Sequence, residues 1–314
     1  MSMKKKAVDL RVKLGHLELK NPVLTASGTF GYGREYYPLV DPELLGAVIV
    51  KGISLEPRIG NPPPRIVETP CGMLNSIGLA NIGVRAFVEE CLPWLRERNA
   101  EVVVNIYGHS EDEYAKIAEL LRGVEGISAI EVNISCPNVE KGGMAFGTDC
   151  EVSARVTEKV LEKSDKQVIV KLSPNVTDIT EVARAVEKAG AHAISLINTL
   201  TGMSIDIENR TPKLGRISGG LSGPAIRPLA LYMVYCVAKS VRIPVIGVGG
   251  IMDYKDALEF MIAGARAIQV GTASFMNPKA TLEIIEGLGK FCREQGINRI
   301  EDVIGTLKVS GDIR

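Results

Sequence analysis

The chain has 314 residues, 46% of them hydrophobic and 24% charged, which suits a soluble globular unit of barrel size with a large buried core. Thirty-seven Lys and Arg balance thirty-seven Asp and Glu, so no global field draws the protein to nucleic acid or to a membrane surface. The basic start, Met1 to Lys6, runs into Val-Asp-Leu-Arg-Val and reads as neither signal peptide nor anchor; no stretch reaches the ~20 apolar residues of a membrane span, so a cytoplasmic location is expected.

In chain order, residues 7–20 alternate apolar and polar around Gly15 and read as a short hairpin covering the bottom of a barrel. Eight apolar runs follow, near 22–25, 47–52, 101–106, 129–135, 168–174, 193–199, 244–250 and 267–273, each of the length of a buried parallel strand. Between most of them the spacing predicts helices, most clearly over 83–98, 110–121, 149–163, 179–189, 224–240, 253–263 and 278–294. Asp149 and Asp253 are placed as N-caps, and Gly190 and Gly264 as helix stops. This alternation predicts an α/β fold, a closed (β/α)8 TIM barrel with an N-terminal β-hairpin, residues 1–314 forming a single domain; an open doubly wound sheet is the alternative.

Three connections are longer than a barrel needs: 53–82 with its prolines, 136–148 with Pro137 and three glycines, and 200–222, rich in Gly, Arg and Ser. All follow strand C-termini, the rim that carries the active site in such barrels, and they read as functional loops. Five apolar runs end on a polar residue, Lys51, Asn105, Asn133, Lys171 and Asn198, which points to a ring of ligand-binding groups around one mouth.

The glycines at 247, 249 and 250 and at 271, beside Thr272, end the last two strands, where these barrels cradle phosphate; Gly223 heads the preceding helix, and tight turns are the alternative. No Walker motif and no Gly-x-Gly-x-x-Gly after the first strand is present, so ATP and NAD fingerprints are missing. Lys171 and Lys51 suit anionic or electron-rich ligands, Lys171 a flavin in particular, unless each is paired with a carboxylate or turned outward. Asn75, Asn133, Asn138 and Asn198 offer paired donors and acceptors for a planar ring such as a pyrimidine, or else serve turns and caps. Cys136 opens a loop near these cations, where positive charge favours its thiolate and a role as proton acceptor; an inert buried thiol is the alternative. The other five cysteines, 71, 91, 150, 236 and 292, form no Cys-x-x-Cys pair and read as small buried apolar groups, with no metal site. His16 and His192 fall on the wrong side of the barrel, and His109 at a helix entrance.

Asn-Ile-Ser-Cys-Pro-Asn (133–138), Asn-Ser-Ile-Gly-Leu (75–79), Ala-Ser-Gly-Thr-Phe-Gly-Tyr-Gly (26–33) and Gly-Val-Gly-Gly-Ile (247–251) resemble the class 1 dihydroorotate dehydrogenases across nearly the whole chain. Gly-Asn-Pro-Pro-Pro-Arg-Ile-Val-Glu-Thr-Pro (60–70) is most similar to the 1B branch. The resemblance implies an FMN barrel that oxidises (S)-dihydroorotate to orotate in pyrimidine biosynthesis, with Cys136 removing the C5 proton while a hydride passes from C6 to the flavin. It implies substrate contacts from Lys51, Asn75, Ser76, Ile77, Gly78, Leu79, Asn133, Asn198 and Thr199, with Asn138 matching a substrate-contacting asparagine of the fumarate-using branch. It implies FMN contacts from Ser27, Lys51, Gly52, Asn105, Asn133, Lys171, Ile197, Gly223, Gly249, Gly250, Gly271 and Thr272. A partner subunit would carry FAD and a [2Fe–2S] cluster and pass electrons to NAD, around a homodimeric core in a heterotetramer. A fumarate-dependent 1A homodimer, a non-redox phosphate-binding isomerase or lyase, and a non-catalytic scaffold are the competing expectations.

Overall fold

The computed structural model describes residues 8–135 and 146–309. Eight parallel strands form its centre: β1 (Val23–Thr25), β2 (Val48–Ile49), β3 (Val102–Ile106), β4 (Ala129–Asn133), β5 (Gln167–Lys171), β6 (Ala193–Leu196), β7 (Val245–Val248) and β8 (Ala267–Val270). Seven lie within the expected apolar runs and β5 begins one residue ahead of its run, at Gln167; every residue in the eight is buried, as strands covered on both faces require. Their order in the sheet follows the chain, β8 pairing with β1. The ring closes between β1 and β2: Leu24 bridges Ala47, and the Gly46 amide donates to Val23 at 2.9 Å. The fold is a (β/α)8 barrel.

Helices cover the outside where the periodicity places them, from Glu111–Leu121 to Ala280–Gln295. Asp149 accepts from the amides of Glu151 and Val152, and Asp253 from those of Lys255 and Asp256, so both act as N-caps. Gly190 and Gly264 follow helix ends with φ of 99° and 125°. The 83–98 segment departs from a regular helix: a π turn over Phe87–Cys91 separates Val84–Ala86 from Leu92–Glu97. Pro93 explains the interruption, because it has no N–H for the carbonyl four residues back. Among the described residues no helix is long and apolar enough to cross a membrane.

Two of the long connections are not irregular. Strands Ile66–Thr69 and Gly72–Asn75 from one, and Leu200–Gly202 and Gly219–Ser222 from the other, build a four-stranded antiparallel sheet above the C-terminal rim. Leu221 lies opposite Leu74 on one side and Leu200 on the other. The glycines that suggest a loop are close-approach residues: a Cβ on Gly220 would lie 2.1 Å from Thr199 Oγ1. The expectation of five buried cysteines is also corrected. Only Cys292 of these is buried, while Cys71 is exposed because it sits in the Pro70–Cys71 turn of the 66–75 hairpin.

At the opposite end, strands Val12–Leu14 and Leu17–Leu19 form the expected hairpin, whose Val12, Leu14 and Leu19 join the barrel core and whose turn is held by Gln167. Gln167, at the start of β5, accepts from the His16 and Leu17 amides at 2.8 and 3.2 Å and donates to the Leu14 carbonyl at 2.5 Å. Unmet buried backbone groups cost about 1–3 kcal/mol each. Gln167→Ala should therefore lower unfolding stability by about 2–4 kcal/mol in denaturant titrations while ligand affinity at the far rim stays unchanged; equal stability would show that the hairpin is held by its apolar residues alone.

Candidate functional site

The C-terminal ends of the strands and the rim sheet enclose a cavity of about 620 Å³, ample for a cofactor with a small substrate. Ser27, Lys51, Gly52, Asn105, Asn133, Lys171, Ile197, Gly223, Gly249, Gly250, Gly271 and Thr272 all line it. So do Asn75, Ser76, Ile77, Gly78, Leu79, Asn198 and Thr199, so the two sets expected from sequence share one space. Cys136 and Asn138 lie outside the described residues. Among the described residues the lining contains two lysines and no Asp or Glu, so its only formal charges are positive and its other polar groups are neutral donors and acceptors.

Its floor is a polar layer inside the barrel. The Glu131 side chain on β4 is fully buried and accepts from Asn105 Nδ2 on β3 at 2.6 Å, Ser195 Oγ on β6 at 2.8 Å and Gln269 Nε2 on β8 at 2.5 Å. Lys171 Nζ on β5 lies 3.6 Å from Glu131 Oε2, 3.3 Å from Gln269 Oε1 and 3.5 Å from Ser27 Oγ. The alternative of a carboxylate partner for Lys171 is thus met in the fold, although the lysine still borders the cavity. An ionised carboxylate accepts only, so Asn105 must turn its amide nitrogen toward Glu131. Asn105 Oδ1 is left buried without a hydrogen-bond partner among the described residues, beside Gly52. An orphaned acceptor in a cavity wall calls for a donor from a ligand.

The Lys51 ammonium makes no hydrogen bond or ion pair among the described residues, while its backbone amide donates to the Gly31 carbonyl at 2.9 Å. Burial pushes its pKa down, and the Arg65 guanidinium adds to the shift. A desolvated ammonium without a counter-ion is costly, and it favours an anion arriving from solvent.

The 75–79 segment extends from the rim strand Gly72–Asn75 and is fixed from below. Asn75 Nδ2 donates to the Gly220 carbonyl at 3.2 Å, and Asn61 Nδ2 to Ser76 Oγ at 3.0 Å. Leu79 is held at φ 61°, a strained value for a branched side chain, with its carbonyl accepting from Tyr107 Oη at 2.7 Å and Asn81 Nδ2 at 2.9 Å. Across the cavity, Asn198 Nδ2 donates to Asn133 Oδ1 at 3.3 Å, while the Thr199 amide donates to Asn198 Oδ1 at 2.8 Å.

At the other end, Gly249 and Gly250 turn with φ of 128° and 73°, leaving no room for a Cβ against Ala230 and Arg227. Asp256 supports this turn by accepting from the Met252 amide at 2.9 Å and pairing with Arg227. Thr272 Oγ1 donates to Ser222 Oγ at 2.8 Å, joining β8's end to the rim sheet. The glycine turns therefore serve close packing as well as exposing backbone to the cavity.

Sequence reasoning missed Glu131, Ser195, Gln269 and Asn61. Glu131 carried a usable signal: it sits two residues before Asn133 in a buried run, and alternation along a strand puts both on the same face. Asn61 carried none beyond its place in a proline-rich stretch.

These residues fit an FMN: an orphaned acceptor for a ring N–H, a floor cation, and glycine turns where a phosphate is expected. The dihydroorotate dehydrogenase family model matches residues 9–292. A protein of Trichlorobacter lovleyi is 56% identical over 299 residues, covering 95% of this chain and 98% of that one, and is named dihydroorotate dehydrogenase B (NAD(+)), catalytic subunit. Proteins with the same name from Desulforamulus reducens and a Thermoanaerobacter species are 57% and 54% identical over 298 and 302 residues, covering 95% and 96% of this chain and 98% and 100% of theirs. This chain belongs to the dihydroorotate dehydrogenase family.

Proposed function

We propose that the chain is the FMN-containing catalytic subunit of an NAD+-linked dihydroorotate dehydrogenase, oxidising (S)-dihydroorotate to orotate for pyrimidine biosynthesis. Residues 1–314 act as one catalytic domain in the cytoplasm. The observation that carries this is the cavity lining, in which two lysines stand among carboxamides with no Asp or Glu among the described lining residues. The isomerase or lyase alternative uses the glycine turns but leaves Lys171, Asn105 and Lys51 without a joint role.

FMN would be held by Ser27, Gly52, Asn105, Lys171 and Ile197 around its ring system and by Gly223, Gly249, Gly250, Gly271 and Thr272 at its phosphate; when bound it supplies the acceptor for the hydride leaving substrate C6. Lys51 and Asn133 lie where both ligands meet. Asn75, Ser76, Ile77, Gly78, Leu79, Asn198 and Thr199 hold the pyrimidine ring and its carboxylate, with Asn138 as a further contact. Cys136 takes the C5 proton as a thiolate, so proton and hydride leave neighbouring carbons and the C5–C6 bond becomes double. The chain around Cys136 supports this: Asn133 and Ser135, shortly before it, both border the cavity. Electrons leave through a partner subunit carrying FAD and [2Fe–2S], the two chains forming a heterotetramer around a catalytic homodimer; the relatives named as NAD(+)-linked catalytic subunits support that division of labour.

Purified protein should show flavin absorbance that bleaches when dihydroorotate is added anaerobically, and Cys136→Ala should keep the flavin while slowing bleaching by about 10²–10⁴-fold. Colourless protein, or bleaching at the wild-type rate in the variant, would contradict the flavin or the base respectively.

Lys51 gives a pH signature. Its lowered pKa means the cation is lost at a lower pH than for a solvated lysine. Orotate binding, measured by its perturbation of the flavin spectrum, should weaken as pH rises through that depressed value. Lys51→Met should bind orotate at least about tenfold more weakly at neutral pH, a loss of ~1.4 kcal/mol, and should flatten the alkaline slope; an unchanged slope would assign it to another group.

A further inference from the structure

We propose that Glu131 is a positioning residue that lowers the reduction potential of the bound flavin, acting through Lys171 and Asn105 without touching either ligand. The inference rests on the flavin reading above. Glu131 is absent from the cavity lining, whereas Lys171 and Asn105 both border it. Its side chain is 0% exposed and that of Lys171 4%, so both charges act in a dry setting where screening is weak.

The distances show how the pair is arranged. Three neutral donors approach Glu131 at 2.5, 2.6 and 2.8 Å, while the ammonium stands off at 3.6 Å. The contacts of Lys171 to Gln269 and Ser27 are also long, at 3.3 and 3.5 Å. The carboxylate is therefore satisfied mainly by Asn105, Ser195 and Gln269, and the lysine keeps hydrogen-bonding capacity for the cavity. The same arrangement leaves a negative charge directly behind the cation. It offsets part of the attraction that Lys171 exerts on the negative charge that reduction places on the flavin, and charge near the ring is one of the means by which a protein tunes this cofactor. Glu131 also fixes the Asn105 amide with Oδ1 toward the ligand. A second consequence concerns the empty-handed state: the carboxylate keeps Lys171 compensated whenever no anion lies above it, so the floor does not depend on a ligand for its charge balance.

The test is the midpoint potential of FMN bound to Glu131→Gln, measured by equilibration with a reference dye. Removal of the charge should favour the reduced form at least about tenfold at fixed potential, a rise of ~30 mV for a two-electron couple. A purely structural role would loosen both oxidation states alike, so a yellow variant with an unshifted or lowered potential would overturn the proposal. If E131Q does not fold, the paired variant Glu131→Gln, Lys171→Gln decides. Recovery of folding when both charges are removed supports compensation, since a lone buried charge is the costly state; failure of both variants to fold would make Glu131 a packing residue and overturn it. A colourless wild-type protein would instead defeat the flavin reading itself.

Discussion

A carboxylate inside a barrel has to be satisfied by the barrel's own walls, because no solvent reaches it. Glu131 meets this requirement with partners from β3, β5, β6 and β8. The contact with Gln269 matters most for the architecture. In the ring of eight strands β4 and β8 are four places apart by either route, so this hydrogen bond crosses the barrel and forms only when the sheet has closed. Removing one partner of the buried Glu131–Lys171 ion pair in the same cluster typically costs about 3–5 kcal/mol. The same cluster supplies the floor of the cavity, which couples the integrity of the fold to the chemistry above it.

The two ends of the barrel are divided by task. Below, Gln167 fastens a hairpin whose residues meet no part of the cavity. Above, the two longest connections zip together as a rim sheet and hold the 75–79 segment over the mouth. Rigidity comes from local detail such as the Asn61 bond to Ser76 and the strained Leu79 held by Tyr107. These contacts fix polar groups before any ligand arrives, and less ordering is then left for binding to supply.

Much of this was legible in the sequence. The eight strands could be read because each is a short run of Val, Ile and Ala buried on both faces, and the strand-end Lys and Asn stood out against those runs. The rim sheet could not, since Leu74 pairs with Leu221 across a long stretch of chain and glycines there look like loop. The π turn at 87–91 depends on one proline inside an otherwise helical pattern. Glu131 was hidden by its apolar neighbours, and its meaning appears only when four other strands bring donors to it. The roles of individual cavity residues came from resemblance to a family rather than from periodicity, and those of Cys136 and Asn138 still rest on it.

One cationic cavity, with no Asp or Glu among its described lining residues, is proposed to hold a flavin at its glycine end and a pyrimidine carboxylate at its 75–79 end. A crystal structure of the purified protein with orotate tests this most directly. The flavin ring should lie over Lys171 with its phosphate at Gly249, Gly250 and Thr272, and orotate between Lys51, Asn198 and the 75–79 segment. Orotate bound away from Lys51, or a phosphate elsewhere than the glycine turns, would contradict it.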